Sequence, residues 1–73
     1  MKWERDLTKY AAARQCLDLF GDDGTPLGWV MEFKTRCLYS LWIGSPKFVD
    51  VTLAEAQRLL LDEIQLSEVS QLA

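Results

Sequence analysis

Histidine is absent from this chain. That removes the side chain most often used as a general base near neutral pH. Cysteine is scarce, with only Cys16 and Cys37. Two thiols without a histidine or a CxxC spacing cannot build a structural zinc site. A secreted domain this small normally carries several disulfides. We therefore expect two reduced, partly buried thiols in a cytoplasmic protein; a bridge between two strands is the alternative. Glycine occurs four times, always at turns or strand starts, so no phosphate-cradling loop is present. No apolar run approaches the ~18 residues of a membrane helix. The start, Met1-Lys2-Trp3-Glu4-Arg5-Asp6, alternates charges and does not read as a signal peptide.

What is present reads as one globular domain, residues 1–73, at 49% hydrophobic and 26% charged. A chain of 73 residues has a marginal core when alone. Charge is unevenly spread. Residues 1–47 sum to +1 and residues 48–73 to −4. An acidic second half disfavours general nucleic-acid binding, which wants a basic footprint. It fits a partner with a basic groove.

The stretch Leu27–Ile43 is dense in Trp, Phe, Tyr, Val and Ile, which suit a pleated, half-buried surface. Asp23-Gly24 and Pro26 punctuate the residues before it. The expected fold is α+β: a three-stranded antiparallel sheet over about 14–20, 27–35 and 37–43. A tight turn at Thr35-Arg36 joins the last two strands. Trp29, Met31 and Phe33 should share the core face with Cys37, Tyr39, Leu41 and Ile43. Val30, Glu32, Lys34, Leu38 and Trp42 then fall on the open face. Lys47–Val51 reads as a short extended segment, an edge-strand candidate.

Thr52-Leu53-Ala54-Glu55 is a capping-box start for a helix over about 53–65. Its stripe of Leu53, Ala56, Leu60 and Ile64, widened by Leu59, should cover the sheet face bearing Trp29 and Leu41. Leu61 falls off the stripe and would touch the N-terminal segment or another chain. Before the sheet, Trp3, Leu7 and Tyr10 stand at helical spacing, followed by Ala11–Ala13. That predicts a short N-terminal helix or arm breaking near Ala13. The alternative is one helix running on to Gly21.

Asp18, Asp22 and Asp23 beside Gly24 lack the alternate spacing of a calcium loop, and turn chemistry accounts for them. No serine or cysteine stands in a nucleophile motif. We expect no catalysis, no cofactor and no metal. Three tryptophans in so short a chain are the main functional signal, because Trp, Tyr and Arg anchor binding interfaces. The expected contact surface is Val30, Leu38 and Trp42, with Glu32 and Lys34 at its rim. If the N-terminal segment covers that face, Trp42 is instead buried against Trp3 and Tyr10. The second candidate surface is the acidic helix face, Glu55, Asp62 and Glu63. Self-association through Trp42 or Leu61 is the structural rival.

Over residues 14–65, the element order and the run Phe48…Thr52-Leu53…Glu55-Ala56 resemble plant AP2 domains and the arm-binding domains of phage-type integrases. That resemblance implies DNA contact through Arg14, Lys34 and Arg36. Short length, an acidic second half and the β–β–β–α order also resemble small accessory proteins of bacteriophages and mobile elements, such as anti-CRISPR proteins. This second resemblance implies a non-enzymatic inhibitor that binds a host nucleic-acid-handling protein and blocks its substrate site.

Overall fold

The computed structural model describes residues 1–6 and 13–72, the stretch 68–72 by its backbone alone. The architecture is α+β, as expected, but the sheet is larger. Five antiparallel strands follow one another in space in chain order: β1 (Lys2–Arg5), β2 (Gln15–Phe20), β3 (Pro26–Glu32), β4 (Cys37–Leu41) and β5 (Lys47–Val49). A single long helix, α1 (Leu53–Leu72), follows. No helix among the described residues is long and apolar enough to cross a membrane.

The predicted N-terminal helix is replaced, at least over Lys2–Arg5, by an edge strand on β2. Trp3 opposes Leu19 and packs against the core, while Lys2 and Glu4 are exposed. Period-two alternation therefore won over the helical spacing at this end. Leu7, Tyr10, Ala11 and Ala12 lie outside the described residues.

The β2–β3 hairpin formed where the turn residues placed it. Gly21 N–H donates to Thr25 O at 2.8 Å, and Gly24 adopts φ +84°, a conformation that suits glycine. Thr25 N–H donates to the Asp23 carboxylate at 3.0 Å, which holds that carboxyl below its ordinary pKa. A register shift at Leu19/Phe20 gives β3 an extra residue, Leu27, which packs toward the core.

The β3–β4 register corrects the expected faces. Val30 opposes Tyr39 and Met31 opposes Leu38, across a four-residue loop closed by Phe33 N–H donating to Arg36 O at 2.8 Å. Directly opposed residues share a face. The face under α1 is thus built from Leu19, Val30, Cys37 and Tyr39, with Leu41 beside them. Trp29 and Met31 are on the other face, and so are Leu38 and Phe48. Strand β4 stops at Leu41, so Ile43 is no core residue; it is 90% exposed.

The helix stripe holds. Ala56 and Leu60 are fully buried, Ile64 nearly so, and Leu53 and Leu59 pack beside them. Leu61, off that stripe, also packs against this core and stays half-buried. Half of the capping box forms: Glu55 N–H donates to Thr52 Oγ1 at 3.3 Å. The Glu55 carboxylate accepts instead from Arg58 at 2.8 Å.

The two cysteines cannot bridge. Cys16 opposes Met31 on the face away from α1, and Cys37 opposes Glu32 on the face beneath it. They are also two strands apart, roughly 10 Å, beyond disulfide reach. The oxidised, then denatured, chain should still titrate two thiols; a loss of both with a monomeric mass would contradict this register. Burial, and then the Glu32 carboxylate, push the Cys37 thiol above its ordinary pKa. The folded state therefore holds that proton more tightly. Its contribution is complete below the ordinary thiol pKa and is lost as pH rises through the raised value. Chemical denaturation along an alkaline series should show that decline, and Cys37→Ser should flatten it.

Candidate interaction surfaces

The sheet's second face is more apolar than an ordinary solvated one. Across its strands run Cys16, Met31, Leu38 and Phe48 in one register row. The neighbouring row is Asp18, Trp29 and Ser40. Cys16 and Met31 are buried; Trp29 and Leu38 are half-buried. Ser40 is also buried, and its hydroxyl donates to Leu41 O at 2.7 Å. Among the described residues no buried side-chain polar atom lacks a partner.

Aromatic rings mark both ends of this face. At one end Phe20 and Trp42 stand 6.5 Å apart, tilted. At the other, Phe33 and Phe48 are 6.2 Å apart. The Arg36 guanidinium lies 4.8 Å above the Phe48 ring, within cation–π range. Trp42 is 44% exposed and Phe48 57% exposed. These two keep more water contact than the buried Cys16, Met31 and Ser40 between them.

The expected contact set is split by this geometry. Leu38 and Trp42 do lie on the side away from α1, where Trp42 meets Phe20 rather than Trp3, which faces the core. Val30 does not: it is fully buried beneath the helix and cannot touch a partner. Glu32 is on the Val30 side of the sheet, where it accepts from Gln15 Nε2 at 3.3 Å. It therefore does not rim the Leu38 surface. Lys34 is exposed in the β3–β4 loop.

The acidic helix face exists but is largely answered within the chain. Arg58 lies between Glu55 at 2.8 Å and Asp62 at 3.7 Å. Glu63 pairs with Lys47 of β5. Both cations are held above their ordinary pKa by these carboxylates, the Lys47–Glu63 and Arg58–Glu55 hydrogen bonds leading. Exposed pairs of this kind contribute little stability. They do reduce the free negative charge the face can offer.

Phe48 is the residue that reading the sequence passed over. Its signal was weak: one apolar residue between Lys47 and Val49, in a segment too short to show a period. Arg14 and Lys34, expected on strands, and Arg36, expected in the turn, lie together at one end of the molecule, around the β3–β4 loop. They line a single groove of about 370 Å³ with Glu32, Phe33 and Asp50. No group of His, Cys, Asp or Glu suited to a metal occurs among the described residues. Compared with known proteins, the chain matches no family model, no curated protein and no solved structure.

Proposed function

We propose that this chain is a protein-binding module whose contact surface is the sheet face turned away from α1. Trp42 and Phe48 are its anchors, with Leu38 between them. One observation carries the reading: two large aromatics, at opposite ends of one apolar face, keep about half their surface in water. Exposed Trp and Phe at the ends of an apolar row are costly to leave wet and favourable to cover. Binding energy at protein interfaces is concentrated in such residues. The acidic helix face is the weaker candidate, since Arg58 and Lys47 already occupy its carboxylates.

The resemblance in size and charge to anti-CRISPR proteins makes a host nucleic-acid-handling complex the first partner to try. Direct DNA recognition by the sheet has less support. On its outer face Lys2 pairs with Glu4 and Asp18 is buried, and the three cations of the DNA reading lie off the strands.

Trp42→Ala and Phe48→Ala should each leave the fold within about 1 kcal/mol of wild type, as surface changes do. Each should abolish capture of a protein that wild type and Lys2→Ala both retain, followed by titration of that protein once identified. Unchanged affinity in both variants would overturn the reading. Sedimentation of the same variants separates self-association: a dimer dissolved by Trp42→Ala would make the partner a second copy.

A further inference from the structure

The described cations divide into two groups. Lys2, Lys47 and Arg58 pair with carboxylates, the amino terminus pairs with Asp22, and Arg5 donates to Gln15. Arg14, Lys34 and Arg36 have no carboxylate within salt-bridge distance among the described residues. All three line the one groove beside the β3–β4 loop. In a chain of net charge −3, three cations outside any ion pair among the described residues, outnumbering the Glu32 and Asp50 that line the same groove, are a local reversal of field.

We propose that this groove receives a short acidic segment of the partner protein. The inference rests on the protein-binding reading above and names the chemistry of what is bound. Two features favour a peptide over a nucleic acid. First, Glu32 and Asp50 line the same groove. A phosphodiester track, with a charge on every residue, would run against them. A peptide can place its carboxylates on the cations and neutral residues between.

Second, Arg36 lies over the Phe48 ring and Phe33 tilts against it. The ring is therefore already engaged by a guanidinium and a second ring, which leaves less of it for a base to stack on, and its exposed remainder suits an aliphatic side chain. Arg36 belongs to both features, lining the groove and capping Phe48. A segment of acidic residues flanking a leucine would thus reach the cations and the aromatic end together. Arginine's fixed fork of donors suits the carboxylates.

The test uses the full isotope-labelled chain and three probes: a short Glu/Asp/Leu peptide, its Gln/Asn counterpart, and an oligothymidylate of equal charge. The acidic peptide should produce saturable amide shifts at residues 14, 32–37 and 50–52. Its neutral counterpart should not. Arg36→Glu should weaken the acidic peptide by roughly tenfold or more, with Lys34→Glu acting in the same direction, and added salt should weaken it too. Both residues are exposed, so both variants should fold.

Shifts elsewhere, failure to saturate, or indifference to Arg36→Glu would overturn the proposal. Tighter binding of the oligothymidylate would also overturn it and give the groove to nucleic acid. The two readings fail separately. Loss of partner capture in Trp42→Ala with no peptide binding removes only the acidic segment. Peptide binding at the groove with capture unaffected by Trp42→Ala and Phe48→Ala removes the aromatic surface.

Discussion

Val30→Glu is expected to leave the chain without a cooperative unfolding transition, whereas Trp42→Glu is expected to fold. Val30 is fully buried between the sheet and α1, with Tyr39 as its strand partner. The new carboxylate would have no water and no cation there. An unpaired charge in such a place costs several kcal/mol, even after it shifts its pKa or the backbone relaxes. A chain of this length has a total stability of roughly 4–11 kcal/mol. One substitution can therefore remove most of it. Trp42 keeps 44% of its surface in water, so a carboxylate in its place stays solvated. Far-UV circular dichroism and a urea titration of both variants decide the matter. Native-like stability in Val30→Glu would mean that β3 presents its other face to the helix.

That contrast shows where the sequence was and was not readable. The turn chemistry of Asp23-Gly24, the Thr52 cap and the 3.6-residue stripe of α1 are local signals. Each appears in the structure where the residues put it. Which face of the sheet the helix covers is not local. It depends on the parity of the β3–β4 loop, because directly opposed residues share a face. Any even loop puts Val30 with Cys37, Tyr39 and Leu41. The two-residue turn at Thr35-Arg36 and the observed four-residue loop agree on that. Pooling Trp29 and Met31 with Tyr39 would have required an odd loop. Hydrophobicity could not correct the error, since Cys16, Trp29, Met31 and Leu38 give the outer face large apolar residues of its own.

The same parity divides the candidate site. Leu38 and Trp42 were legible as a pair, because they lie on one strand and its extension. Val30 and Glu32 were attached to them across a strand boundary, where the pattern carries no register. Strand β5 was legible as an edge-strand candidate in Lys47–Val51, whereas β1 was hard to see for a different reason. A four-residue edge strand with charged ends resembles a loop in composition, and such edges discourage pairing with other chains. Glu55 and Asp62 of α1 were correctly read as exposed, while Glu63 is half-buried. The partner of Glu63 was not legible, since Lys47 is sixteen positions from it and only the fold brings them together.

Gly28→Val is expected to destabilise the chain by several kcal/mol, and Gly28→Ala by about 1–3 kcal/mol. Gly28 is buried and has an ordinary negative φ, so the reason is space and not backbone freedom. A Cβ there would stand 2.7 Å from Ser40 O and 2.9 Å from Leu60 Cδ1. The leucine can turn away; the carbonyl belongs to the neighbouring strand and cannot move without it. Replacing glycine in a strand usually gains about 0.5–1 kcal/mol from lower backbone entropy, which is too little to offset that contact. Leu60→Ala alone should cost about 2–5 kcal/mol, because Leu60 is fully buried at the centre of the helix interface. The double variant Gly28→Ala with Leu60→Ala should then be more stable than the sum of the two losses predicts. Rescue should be partial, since only one of the two crowded neighbours has gone. Strict additivity in denaturant midpoints would mean that α1 does not cross β3 at Gly28, and that the helix approaches the sheet elsewhere.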